Sequence, residues 1–167
     1  KYPEKKAILS FHEYLLVSGN RSPIGEKVFN EVVKTNKNVI ATLSGHYHDA
    51  ETLVDEIDDD LDGTTDRKVY QMLADYQGGP EGGQGFLRLM KVNPVENKIQ
   101  MQTYSPYLDQ YNYYNPIDYP GKDEFTIETD LTPREKVVAT DMFKAEVFTN
   151  ELIGEVENIT DGSIAGV

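Results

Sequence analysis

Val39-Ile40-Ala41-Thr42-Leu43-Ser44-Gly45-His46-Tyr47-His48-Asp49 decides how the rest of this chain is read. Its apolar, β-branched opening reads as a buried strand that Gly45 ends. Past the glycine, His46 and His48 stand at i and i+2. On an extended backbone both imidazoles then lie on one side, as when a strand end presents two metal ligands. Gly45 is the residue expected to take an uncommon conformation or to let a ligand approach. The chain has three histidines. The third, His12, follows another short apolar run, Ala7 to Phe11, so all three sit at or just past a predicted strand end.

Outward from this stretch, Ser18-Gly19-Asn20 and Ser22-Pro23 are loop residues. From Gly25 the period becomes helical: Val28, Phe29, Val32 and Val33 recur among Glu26, Lys27, Glu31 and Lys34, an amphipathic helix of about three turns that stops near Asn36 to Asn38. Strand, helix, strand in this order is a βαβ-like unit, and α/β folds place ligands at the ends of such strands. Downstream, Thr52 to Ile57, Val69 to Tyr76, Phe86 to Val92 and Lys98 to Tyr104 read as strands of a mostly antiparallel sheet. Asn93 to Asn97 forms a hairpin turn, and Gly78 to Gly85 a flexible connection. Tyr107 to Tyr119 is an irregular surface excursion, and Phe125 to Thr129 closes the sheet. The chain is α/β in the α+β sense, with one domain over 1–132 and a β-rich extension or linker over 133–167.

The net charge is −13 with a pI near 4.5, which repels polyphosphate backbones and argues against nucleic acid as a partner. An anionic substrate would need local positive charge, from metal ions or from an arginine such as Arg21. The sequence has no cysteine, so disulfides and thiolate metal sites are excluded. No apolar run is long enough to span a bilayer. Cysteine avoidance with abundant Asn, Tyr and Asp suits a secreted or cell-surface protein, with a cytoplasmic one as the alternative. Lys1 in place of a start methionine, with no leader before it, reads as the beginning of an excised or processed piece.

Phe11-His12-Glu13, the Ser18-Gly19-Asn20-Arg21-Ser22 loop and Leu43-Ser44-Gly45-His46-Tyr47-His48 together resemble the last two signature blocks of the calcineurin-like metallophosphoesterases. Met72-Leu73-Ala74-Asp75-Tyr76-Gln77, Gly85-Phe86-Leu87-Arg88-Leu89 and Thr103-Tyr104-Ser105-Pro106 resemble the sheet that follows those blocks in bacterial members. The resemblance covers most of Ala7 to Thr132. It implies the C-terminal half of a four-layer α/β/β/α sandwich with two divalent ions (Mn, Fe or Zn) about 3 to 4 Å apart. His12 and His46 would ligate one ion and His48 the other, with Asn20 and Arg21 near the substrate phosphate. In that family the two ions activate a bridging hydroxide for attack on phosphorus and neutralise phosphate oxygens, and the substrates are phosphate-ester small molecules or phosphoproteins.

The family's earlier blocks, an Asp-x-His pair, a Gly-Asp-x-x-Asp and a Gly-Asn-His-Asp/Glu, occur nowhere in this sequence. They would supply the bridging carboxylate, further ligands and the general-acid histidine. The chain alone is therefore expected to be an inactive C-terminal fragment, and half a sandwich is expected to leave apolar sheet surface that favours self-association.

Asp58, Asp60, Asp62 and Gly63 match the opening of an EF-hand loop, with Asp66 further along, but Val69 stands where the closing glutamate belongs. This supports a second reading: a non-catalytic extracellular β-rich binding module with a calcium-stabilised acidic loop. Gly78 to Gly85 lacks the Lys-Ser/Thr end of a phosphate loop. The tyrosines from Tyr104 to Tyr119 either stack on a sugar or nucleoside or pack over the sheet edge. Asn158-Ile159-Thr160 fits a glycosylation sequon.

Overall fold

β1 (Ala7–Phe11) and β2 (Val39–Ser44) form on the two apolar runs and pair in parallel, Leu9 opposite Thr42 and Phe11 opposite Ser44, in a computed structural model that describes residues 5–132. A parallel pair needs a crossover, and here it is helical. Ser22 caps α1 (Pro23–Val28), its buried hydroxyl accepting from Gly25 N at 3.1 Å, and Pro23 starts the first turn, where a missing N–H costs nothing. α1 passes directly into a π-helical turn, Phe29–Val33, closed by Lys34 N donating to Phe29 O at 2.8 Å. The wider turn puts both Phe29 and Val33 into the core.

The next two strands go where their periodicity did not say. β3 (Ala50–Ile57) and β4 (Arg67–Ala74) form an antiparallel hairpin, but β4 also lies parallel to β2, so the strand order is β1-β2-β4-β3. The expected antiparallel sheet therefore loses its first two members to the first sheet. The reason lies in β4, which sends Val69 and Leu73 to one core and Met72 to another. A strand apolar on both faces must be covered on both, which suits an inner position.

β5 (Leu87–Asn93), β6 (Lys98–Ser105), β7 (Gln110–Tyr111) and β8 (Phe125–Glu128) make the second sheet, antiparallel throughout, with β6 central. Along β6 the alternation is strict: Ile99, Met101, Thr103 and Ser105 are buried and their neighbours are not.

Two cores result. Phe29 and Val33 pack with Tyr14, Leu15, Val39 and Leu73 on the helix side of the first sheet. On its other side, Ile40, Ala41 and Met72 meet Ile99, Met101 and Ile127 of the second sheet. The layers are thus helix, mixed sheet, antiparallel sheet. Towards the C-terminal ends of β1, β2 and β4 the sheets part around a cavity of about 590 Å³, bordered by Leu43, Met72, Met90 and Met101 among others.

Gly78 to Gly85 is a defined turn rather than a loose connection. A short helical turn at Pro80–Gly83 contains left-handed Glu81 (φ 51°) and Gly82 (φ 73°), and Gly83, Gln84 and Gly85 continue with positive φ. Three glycines in that run relieve a conformation that L side chains resist. The extension expected over 133–167, including its sequon, lies outside the described residues.

Candidate metal centre

β1 and β2 end side by side, and Gly45 N donates to His12 O at 3.2 Å across the gap. This brings His12 and His46 together, with ring centroids 4.7 Å apart and an edge-on angle of 61°. Tyr47 packs on the other side of His46 at 4.7 Å, and its hydroxyl donates to Glu13 Oε1 at 3.3 Å. Burial comes first in raising the Tyr47 hydroxyl above its usual range, with Glu13 adding to it. Both imidazoles are exposed at the mouth of the strands. Two neutral nitrogen donors from adjacent strands are a suitable pair for one Zn, Mn or Fe ion.

His48 departs from the expected geometry. His46, not Gly45, takes the unusual conformation, with φ 69°. The left-handed region costs an L residue about 1–2 kcal/mol, so the structure around the strand end imposes it. A Cβ on Gly45 would meet only Asp75, at 3.5 Å, so nothing there demands glycine. Two tight N–H to O contacts follow, Tyr47 to Gly45 and Asp49 to Tyr47, both 2.9 Å. The backbone coils instead of extending, and the i, i+2 alignment of His46 and His48 is lost. His48 lies against the turn after β4, its Nε2 2.8 Å from Gln77 Nε2.

That turn is fixed by Asp75, whose carboxylate accepts from Gln77 N at 3.0 Å and whose N–H donates to Asp49 O at 2.9 Å. Asp49 accepts from the Tyr114 hydroxyl at 2.6 Å and pairs with Lys122 at 2.8 Å, while Lys122 also reaches Glu51 at 3.0 Å. Burial alone would raise the Asp49 carboxyl, but Lys122, Tyr114 and the Ala50 N–H outweigh it and hold it low. Two tyrosines of the 107–119 excursion pack against the protein: Tyr113 lies 5.0 Å from Tyr76, and Lys122 sits 4.4 Å above the Tyr114 ring, while Tyr107, Tyr111 and Tyr119 are exposed. Sequence reasoning missed Asp49, Asp75, Gln77 and Lys122. Asp49 closes the quoted histidine stretch and Asp75 and Gln77 stand in the Met72–Gln77 block, but nothing in the sequence set these polar side chains apart from ordinary residues beyond a strand, and Lys122 lies in no quoted block.

The loop residues expected at substrate are engaged elsewhere. Arg21 lies 3.6 Å above the Phe29 ring and donates through Nε to Gln71 at 2.7 Å, through Nη1 to Glu26 at 3.0 Å, and through Nη2 to Asp55. Its side chain is 11% exposed. A guanidinium with all three nitrogens paired ties the loop to β3 and β4, an anchoring role in the described residues. Asn20 sits in the tight Leu16–Asn20 turn, its amide donating to Ser18 Oγ at 3.3 Å.

The acidic loop joins β3 to β4 without flanking helices. Ligand atoms of Asp58, Asp60 and Asp66 lie within 4.8 Å of one another, so these three can hold a metal ion. Asp66 takes the place expected of Asp62, whose Oδ1 accepts from both the N–H and the hydroxyl of Thr64. Among the described residues no comparable cluster of three includes a histidine.

No protein-family model matches this chain, and no solved structure matches it. It is similar to an uncharacterized Bacillus subtilis (strain 168) protein, YvnB, with 57% identity over 165 residues. That match takes in 99% of this chain but 13% of the relative, so the chain spans about an eighth of the length of the curated protein it resembles.

Proposed function

We propose that this chain contributes the C-terminal half of a metal-dependent phosphoesterase site, with His12 and His46 as ligands of one divalent ion and His48 as a ligand of a second. The observation that carries the reading is the contact between His12 and His46, at the ends of adjacent parallel strands. The layering of helix, mixed sheet and antiparallel sheet supports it, as three layers of a four-layer α/β/β/α sandwich. Bound at these imidazoles, divalent ions would supply an activated water and positive charge for a phosphate ester. The protein's own part is to pose the donors: β1 and β2 fix the His12–His46 spacing, and the β4 turn holds His48. Three imidazoles without a carboxylate give neither ion a full set of ligands. The isolated chain is therefore inactive, and catalysis belongs to a longer polypeptide that supplies the rest.

Zinc titration followed through the histidine ring signals tests this directly. The His12 and His46 signals shift together at one stoichiometric ratio, and His12→Ala abolishes the His46 response. A zinc-bound His46 that ignores loss of His12 overturns the shared site. With manganese present, the isolated chain leaves p-nitrophenyl phosphate intact, whereas a longer polypeptide that includes it hydrolyses the ester and loses activity with His46→Ala.

The acidic loop favours a second reading, a calcium-stabilised binding module. The two part on which side chains respond: calcium would raise the melting temperature through Asp58, Asp60 and Asp66 and leave the imidazoles unmoved.

A further inference from the structure

Of the three histidines, His48 alone has a ring nitrogen within hydrogen-bonding distance of another side chain among the described residues, Gln77 Nε2 at 2.8 Å. Its other nitrogen is also covered. A Cβ built on Gly78 would come within 2.5 Å of His48 Nδ1 and 2.8 Å of its Cβ, so the ring rests directly on the Gly78 backbone. Gly78 has no positive φ to explain the glycine, and room for the imidazole does. Asp75 holds the turn that carries both residues. The ring is thus seated in a cradle built by the end of β4.

We propose that Gln77 is the positioning residue of His48: its carboxamide N–H donates to Nε2, keeps the ring proton on Nδ1, and must be displaced before a cation takes Nε2. This rests on the metal-centre reading, which it deepens by naming what sets access to the second ion. An N–H donor facing Nε2 requires the lone pair there, and a neutral imidazole then carries its proton on Nδ1. In that state no ring nitrogen of His48 is free to ligate. The His12–His46 pair has no such competitor among the described contacts, so the two halves of the site differ in readiness: the pair accepts a cation first and His48 follows. Residues that orient a metal-ligating imidazole through its other nitrogen stabilise binding. Gln77 engages the exposed nitrogen itself, so its removal has the opposite sign.

Long-range proton–nitrogen NMR spectra of the 167-residue chain read the tautomer of each histidine without any metal. In the unaltered protein His48 carries its proton on Nδ1. In Gln77→Ala it moves to Nε2, the form imidazole prefers in water, while His12 and His46 are unchanged. Gln77→Glu also moves it to Nε2, because a carboxylate only accepts. Since Gln77 is exposed, neither change threatens folding. The same tautomer in the unaltered protein and in Gln77→Ala overturns the proposal. Zinc added to the same samples reaches His48 about fivefold more tightly in Gln77→Ala, the worth of one hydrogen bond of about 1 kcal/mol; weaker binding there also overturns it. If zinc touches none of the three imidazoles, the metal-centre reading fails while the tautomer result stands by itself.

Discussion

At the scale of single residues, the most demanding environment belongs to Tyr76 and Arg88 beneath the second sheet. The Tyr76 hydroxyl is 2.8 Å from Thr103 Oγ1, donates to Asp123 at 3.3 Å and accepts from Arg88 Nη2 at 2.9 Å. Arg88 is 6% exposed and stands 3.8 Å from Asp123, with its Nε and Nη1 unpartnered among the described residues. Tyr76→Phe removes one of the few acceptors this buried cation has. The expected loss at pH 7 is about 1–3 kcal/mol by urea unfolding, more than an exposed tyrosine would cost. Burial pushes the Tyr76 hydroxyl above its usual value of 10.0, Asp123 adds to this, and Arg88 opposes it. A raised folded value means that the tyrosine's contribution is complete below the unfolded value and fades as pH rises through the folded one. As pH rises above about 10, the ordinary tyrosine value, Tyr76→Phe should therefore show a shallower fall in stability than the unaltered protein. Little of this was legible in the sequence, where Arg88 reads as a strand residue and Tyr76 as a strand end. The His12–His46 pairing was legible, because each follows an apolar run. The packing of Arg21 was not legible, because a loop arginine gives no sign that Phe29, Gln71 and Asp55 will close around it.

Among the elements, α1 shows how a residue chosen for packing can look like one chosen for flexibility. Gly25 lies inside the helix with an ordinary φ, where alanine would normally be worth about 0.5–1 kcal/mol. Here a Cβ would sit 2.3 Å from the carbonyl oxygen of Tyr14, which is backbone and cannot swing away. Tyr14 is itself buried and fixed, its hydroxyl donating to Gln71 at 2.9 Å. Gly25→Ala should therefore destabilise by about 1–3 kcal/mol, a reversal of sign that chemical denaturation resolves; a gain in stability would mean that α1 does not press on Tyr14. The helical period was readable beforehand, and so were β1, β2, β5 and β6, whereas Ser22, read as a loop residue, turned out to cap the helix. The sheet to which β3 and β4 belong was not. Alternation tells which face of a strand is buried, but not which neighbour buries it, and the choice depends on Val69, Met72 and Leu73 finding two separate cores.

For the molecule as a whole, two opposed forces govern its behaviour in solution. Among the described residues β1 and β5 each pair on one side only, and the sheets part around the 590 Å³ cavity near these free edges. Ile8 is 38% exposed, Leu87 and Leu89 are each 42% and Val92 51%, so apolar side chains accompany unpaired strand backbone. Such edges invite pairing with another chain. Against this stands the net charge of −13, which makes copies repel. Their ranges differ: the charge acts over the Debye length, about 10 Å at 0.1 M salt and about 3 Å at 1 M, whereas apolar contact is not weakened by salt. The expected outcome is a mass by light scattering that rises with protein concentration and rises further when salt is raised from about 0.1 M to about 1 M. Leu87→Glu with Leu89→Glu should return the mass towards the monomer at both salt levels. A monomer at every concentration and at high salt would show that the free edges are already protected, and would remove the expectation that further chain is needed to cover them.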